Sequence, residues 1–258
     1  MVLLSFDIEE FDMPFEYGKE ISFEDQINIS VEGCHTILDL LAKHGFKATF
    51  FSTATFAINA PDVIQRIKVE GHELASHTYY HSKFENKDLL ASRLKLEELS
   101  GLPVKGFRMP RMAPVSEQEI EDAGYIYNSS INPTFLPGRY NNLHIPRTAF
   151  KQGKVIQLPA SVTPIFRIPL FWLSFHNFPL WYYKHIFNKA YRKDGYVNIY
   201  FHPWEFFDLN DKERFGFPRY VSRNSGVKMT ERLDNLMAWM KKNNYPTHTI
   251  SEFIATIA

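Results

Sequence analysis

The run Val2-Leu3-Leu4-Ser5-Phe6-Asp7-Ile8 is almost unbroken in its hydrophobicity and ends in acids, the pattern of a parallel strand covered on both faces. Apolar positions then recur at helical spacing over residues 23–43 (Ile27, Val31, Cys34, Leu38, Leu41), and Gly45 stops them. A second strand is predicted over 47–53. Pro61 opens a short helix, which Gly71 parts from a strand over 72–77. Asn86 is placed to cap a helix over 87–99 that Gly101 ends. After a strand over 104–109, Ser116 and Glu119 have the S-x-x-E spacing of a capping box, for a short helix closing at Gly124. Strands are predicted over 125–130, 155–161 and 196–201. Leu233, Leu236, Met237 and Met240 mark a last helix, and 247–253 a closing segment. Strand and helix alternate throughout, without fixed-period repeats or low-complexity linkers. The expectation is one α/β domain over 1–258, a β/α barrel with fewer than eight regular units.

Composition narrows this only a little. At 45% hydrophobic and 22% charged residues the chain has a globular balance, and its formal net charge of zero gives no reason to expect nucleic acid as a partner. Cys34, the single cysteine, excludes an internal disulfide and a cysteine-built zinc site. Aromatic residues reach 16%, which suits either a well-filled core or a carbohydrate-handling surface. The first strand starts at Val2 and no apolar run is long enough to span a bilayer, so a cytoplasmic location is expected.

Position gives the strongest signal. Asp7, His77, Arg108 and His202 each fall at or just beyond the end of a predicted strand, and in a parallel barrel those ends share one face. Ser5, Asp7 and Glu9 share one strand face, although acids at such a boundary (Asp7, Glu9, Glu10, Asp12) are often merely solvated. His77 and His81, four apart, converge if the backbone between them makes a helical turn, and then need a carboxylate or another histidine from elsewhere to hold a metal. Arg108, between Phe107 and Met109-Pro110, needs a carboxylate partner in so apolar a setting, and Asp7 is the candidate. His202, followed by Pro203-Trp204-Glu205, reads either as a satisfied core histidine or as a proton donor.

In this order the motifs S-F-D-I-E-E, G-H-E-L-A-S-H-T-Y-Y-H, G-F-R-M-P and Y-F-H-P-W-E-F resemble those of the polysaccharide deacetylase family (NodB homology, carbohydrate esterase family 4). D-x-E and H-P-W-E are similar to a subgroup tied to exopolysaccharide biosynthesis. The resemblance implies a distorted barrel of about seven strands and metal-dependent removal of an N-acetyl, less often O-acetyl, group from a sugar. It implies His77 and His81 as ligands of a divalent metal, zinc or else cobalt or nickel. Asp7 then matches the general base, Arg108 the arginine that orients it, and His202 the general acid. Thr78, Pro110 and Trp204 are expected against substrate, and a backbone N–H in Pro110–Met112 against the oxyanion. Ile8 occupies the position of the family's second aspartate, so Glu9 is expected as third ligand, with Glu10 as the fallback. Met112 replaces an aromatic residue of the family pattern. Asn128 replaces an aspartate that would help to hold the acid histidine charged.

The implied partner is an N-acetylated glycan, possible also in lipid-linked form. The aromatic stretch over 164–195, whose charges are Arg167, Lys184, Lys189, Arg192 and Lys193 against Asp194, reads as a packed lid over the barrel mouth or as a peripheral membrane patch. Two rival functions stand beside the deacetylase: a metal-free amide or ureide hydrolase of the same fold, favoured by Ile8, and a non-catalytic glycan-binding relative, favoured by Asn128 and Met112.

Overall fold

The computed structural model describes residues 1–257. Its strands are β1 (Val2–Ile8), β2 (Thr49–Ser52), β3 (Glu73–Ser76), β4 (Gly106–Phe107), β5 (Tyr127–Asn128), β6 (Phe135–Leu136), β7 (Tyr140–Asn141), β8 (Phe150–Gln152), β9 (Val155–Gln157) and β10 (Val197–Phe201). The main sheet runs β10-β1-β2-β3-β4-β5-β9-β8, while β6 and β7 form a separate hairpin. Every pairing in the main sheet is parallel except β8 with β9. Seven parallel strands thus curl into a barrel. Its seam, between the chain after β9 and β10, is bridged by the Ser161 N–H to the Asn198 carbonyl and the Asn198 N–H to Ser161 Oγ, both 2.8 Å.

The helices are α1 (Phe23–His44), α2 (Ala54–Asn59), α3 (Pro61–Val69), α4 (Lys87–Ser100), α5 (Glu117–Asp122), α6 (Trp172–Asn177), α7 (Leu180–Asp194), α8 (Lys212–Phe215), α9 (Arg219–Ser222), α10 (Val227–Lys242) and α11 (Ile250–Ile257). Ser22 Oγ caps α1 by accepting the Asp25 N–H at 3.1 Å, and Gly45 closes the helix at φ 70°. Two expected caps do not form. Asn86 makes no cap to α4, since its own backbone is already helical (φ −56°, ψ −33°), and Ser116 makes none to α5; the Asn86 amide donates to the Glu119 carboxylate and ties the two helix starts together. The predicted strands over 104–109 and 125–130 shrink to the two-residue β4 and β5. The closing segment over 247–253 runs into a helix, α11.

The strand period of two sorts the side chains. Val2, Leu4, Phe6 and Ile8 pack outward with Phe50, Leu74, Phe107, Ile199 and Phe201 against the helices. Leu3, Phe51, Ala75 and Tyr127 point inward, and Ile250, Phe253 and Ile254 of α11 plug that end of the barrel. Further along the same inward faces, towards the carboxyl ends, come Ser5 and Asp7 on β1 and Tyr200 on β10. The barrel interior is therefore apolar at its floor and polar at its mouth, where a site can form.

Candidate active site

Arg108 follows β4 and is fully buried. Its Nη1–H donates to Asp7 Oδ1 at 2.6 Å, its Nη2–H groups to Ser5 Oγ and Ser129 Oγ at 3.0 Å, and its Nε–H to the Ser129 carbonyl at 3.0 Å. The guanidinium also lies over the Phe51 ring, 4.0 Å from its centroid. This is the buried pair that an arginine in an apolar setting requires. It fixes Asp7 by one oxygen and leaves Oδ2 facing the cavity, 3.9 Å from His202 Nε2.

His77 and His81 converge, but not by the helical turn expected from their spacing. Thr78 adopts a left-handed backbone (φ 69°), and the carbonyls of Thr78 and Tyr79 accept the Ala54 and Thr55 N–H groups at the start of α2. Those carbonyls are therefore unavailable for helical bonds, and the loop is bound to a neighbouring helix instead. Buried Thr78 donates its hydroxyl to the Tyr80 carbonyl at 2.7 Å. Thr78 shapes this loop and, like Pro110, is absent from the cavity wall, whereas Trp204 lines it.

His77 Nδ1 lies 2.7 Å from the Arg108 carbonyl, which can only accept, so the ring carries its proton there and turns the Nε2 lone pair inward. His81 Nδ1 meets Asp12 Oδ1 at 2.7 Å. Both Nε2 atoms point at Glu9 Oε2, at 3.0 and 3.1 Å. That oxygen is buried and has no hydrogen-bond partner, while Oε1 accepts from Trp204 Nε1 at 3.4 Å. Burial alone would raise the Glu9 pKa, but the neighbouring charges of His81, His77 and His202 hold it well below the usual carboxylate range. Burial likewise lowers His81, and Glu9 and Asp12 more than reverse it.

Neutral imidazoles would aim two lone pairs at a carboxylate oxygen. One proton can bridge one nitrogen to Glu9; a metal cation satisfies all three donors together. Donor separations around a tetrahedral ion with bonds of ~2.0–2.1 Å are about 3.3 Å, close to the spacings found. Among the described residues, Glu9, His77 and His81 are a group whose ligand atoms lie close enough together to hold one metal ion. Glu10 turns away and accepts from Thr53 Oγ1 at 2.5 Å, which removes it as a fallback ligand. Ile8 faces the outer core, so the oxygen ligand comes from the next inward position.

His202 stacks on Trp204 (centroids 4.7 Å, 18°) with the edges of Trp172 and Tyr200 against it. Its Nδ1 meets Glu205 Oε1 at 3.0 Å, and Glu205 Oε2 meets His176 Nε2 at 2.9 Å. Burial lowers the His202 pKa, but the Glu205 hydrogen bond and the charges of Glu9, Glu205 and Asp7 raise it overall. The carboxylate that serves this histidine thus comes from within H-P-W-E. Asn128 donates to Gln157 Oε1 at 2.9 Å and takes no part. Sequence reasoning noted Asp12 and Glu205 in their motifs but missed their partners, and it missed His176 altogether.

These groups floor a cavity of about 400 Å³. Tyr140, Phe171, Trp172, Tyr200 and Met112 line it, as do Arg111 and Glu16, which pair at 2.6 Å. In the turn Pro110–Met112 the proline has no N–H, and that of Met112 is taken by the Met109 carbonyl at 3.1 Å.

Residues 18–125 match a family model described as polysaccharide deacetylase, a span that includes His77, His81 and Arg108. A chitooligosaccharide deacetylase from Bradyrhizobium sp. (strain ANU 289) is 47% identical over 45 residues, 17% of this chain and 20% of its own length. A peptidoglycan-N-acetylglucosamine deacetylase from Bacillus cereus is 32% identical over 108 residues, 39% of this chain and 36% of its own. The chain therefore spans between 20% and 36% of the length of these two relatives. A solved structure of a Mycobacterium smegmatis protein described as a polysaccharide deacetylase superposes with a TM-score of 0.64, covering 98% of this chain and 87% of the other at 18% identity. That likeness is one of fold.

Proposed function

We propose that this chain, whose residues 18–125 match the polysaccharide deacetylase model, acts as a member of that family and hydrolyses an acetyl group, most simply N-acetyl, from a sugar of a surface polysaccharide or its precursor, using a zinc-class divalent ion. The observation that carries this reading is the convergence of two imidazole Nε2 atoms on an otherwise unpartnered, buried Glu9 oxygen. Glu9, His77 and His81 would hold the ion. When bound, such an ion polarises an acyl carbonyl and makes a neighbouring water more acidic.

The remaining steps fall to side chains of this chain. Arg108 holds Asp7 in place by Oδ1, with Oδ2 free to take the proton of an attacking water. His202, raised in pKa by Glu205, supplies a proton to the departing amine on the same side of the cavity. The aromatic walls offer flat apolar faces of the kind that pack on sugar rings, and they keep bulk water from the reacting centre.

The test pairs metal analysis with turnover. Protein purified without added metal, then loaded with zinc or cobalt, is expected to hold about one equivalent, which His77→Ala and Glu9→Ala lose. Acetate release from N-acetylated oligosaccharides is expected to fall by roughly 10²–10⁴ in Asp7→Asn. A wild-type protein that takes up no metal returns the metal-free hydrolase to first place. Metal uptake with glycan retention but no acetate release would favour a binding protein.

A further inference from the structure

We propose that the rim of this cavity is a membrane-docking surface, with Ile165 and Phe166 as the side chains that enter the lipid layer and an anionic bilayer as the partner. These are the two most exposed large apolar residues among those described, at 81% and 82%. They form the tip of a short hairpin closed by the Val162–Pro169 bridge and by the Thr163 N–H to the Ile168 carbonyl at 2.9 Å.

The tip is held out by specific contacts. Arg167, beside Phe166, adopts a left-handed backbone (φ 52°), a conformation unfavourable to a residue with a Cβ. Its Nη1–H groups donate to the carbonyls of Pro133 and Ile145 at 3.0 and 2.9 Å, and its own carbonyl accepts from Thr134 Oγ1 at 2.7 Å. The hairpin is thus clamped to the loop that carries Leu136 and Tyr140 of the cavity wall, and the chain runs on from it into Phe171 and Trp172 of the opposite wall. Trp181, 72% exposed, projects from the start of α7 just beyond them. Much of the aromatic stretch after the hairpin does pack as a lid, since Phe171, Phe175 and Tyr183 are buried. Ile165, Phe166 and Trp181 gain nothing from that core.

Charge selects the partner. Between Asp122 and Asp194 the sequence has no acidic residue and nine Lys or Arg, of which Lys154 pairs with Glu121 and Arg167 is committed to the two carbonyls, although the whole chain is balanced at 29 of each sign. Asp194 itself is bound by Arg147. Arg139 lines the cavity mouth and has no carboxylate partner among the described residues. An anionic headgroup layer therefore meets no repulsion from the segment that presents the apolar tips. The tips project as separate points from a hairpin and a helix start, which suits a fluid lipid layer better than a shape-matched protein face. Docked in this way, the cavity opens at headgroup level. If the deacetylase reading holds, its glycan is one carried at a membrane; the docking itself does not depend on that reading.

The experiment is flotation of the full chain with vesicles of phosphatidylcholine alone and of phosphatidylcholine mixed with phosphatidylglycerol, scored without turnover. The wild type is expected to float with the anionic vesicles and to be released by salt. The double variant Ile165→Ser, Phe166→Ser is expected to bind about a hundredfold more weakly, with unchanged circular dichroism and metal content. Wild type left in the aqueous fraction, or a double variant that binds equally, overturns the proposal. So does a wild-type dimer that the double variant dissolves while vesicles are ignored, since a second copy would then cover the hairpin.

Discussion

His202 Nδ1 lies 3.0 Å from Glu205 Oε1, three residues later in the same turn, and Glu205 is fully buried between His202 and His176. The backbone N–H of His202 donates to the same oxygen at 2.6 Å, so one carboxylate fixes both the ring and the strand end that carries it. Glu205 also raises the His202 pKa. In the proposed role of general acid His202 works while protonated, so activity is lost as pH rises through that pKa. Glu205→Gln keeps the shape and removes the charge. The alkaline limb of the pH–rate profile should move to lower pH, with kcat falling by about 10–100-fold. An unmoved limb would mean that Glu205 only shapes the turn.

Asp12 stands to His81 as the Arg108 carbonyl stands to His77. It accepts from His81 Nδ1 at 2.7 Å and is itself held by Ser82 and Arg111. Burial would raise Asp12, but the hydrogen bond and charge of His81, then Ser82 and Arg111, lower it overall, so it serves as an ionised anchor for the ring. Asp12→Asn is expected to weaken metal affinity by roughly 10–100-fold. Chelator competition reads this directly. Equal affinity in the two proteins would show that His81 is positioned by its loop alone.

The sequence is most legible where a local rule meets no competitor. The period of two along β1 put Ser5, Asp7 and Glu9 on one face, and all three side chains do turn towards Arg108 or the two histidines. The need of a buried arginine for a carboxylate led to Asp7. The failures come from longer-range partners that spacing cannot show. Four-residue spacing suggested a helical turn for His77 and His81, yet α2 claims the carbonyls that such a turn would use. The capping signal of Asn86 failed because its backbone continues the helix, and its amide reaches Glu119 of the next helix instead. Asn128 seemed to remove support from the acid histidine, because nothing in the sequence revealed that Glu205 folds back onto it.

Gly33 lies inside α1, where glycine is otherwise unfavourable. A Cβ there would stand 1.9 Å from the Pro203 carbonyl oxygen and 2.4 Å from its carbon. The helix therefore packs backbone to backbone on the turn Pro203–Phe206 that follows His202. Gly33→Ala gains helix propensity but must push helix and turn apart. A net loss of about 1–3 kcal/mol is expected, read as a lower midpoint in thermal unfolding, with acetate release falling because His202 moves with the turn. A variant as stable as wild type would mean that α1 can shift without cost.

His72, just ahead of β3, makes stability sensitive to acid in a region remote from the site. It packs on the Phe50 ring with centroids 5.5 Å apart, and neither of its ring nitrogens has a hydrogen-bond partner. Burial, then the nearby Lys47 charge, push its pKa down to about 4, while Glu70, 3.6 Å away, opposes the shift only in part. The unfolded chain takes up this proton near the ordinary value of about 6.5, and the folded chain not until about 4. Between those values the unfolded state binds more protons, so stability falls as pH falls. His72→Phe keeps a ring against Phe50 and removes the titration. Its unfolding midpoint should fall less than that of wild type between pH ~6.5 and ~4, leaving the two curves closest at the acid end or crossed there. Curves that stay parallel across this window would assign the acid sensitivity to other groups.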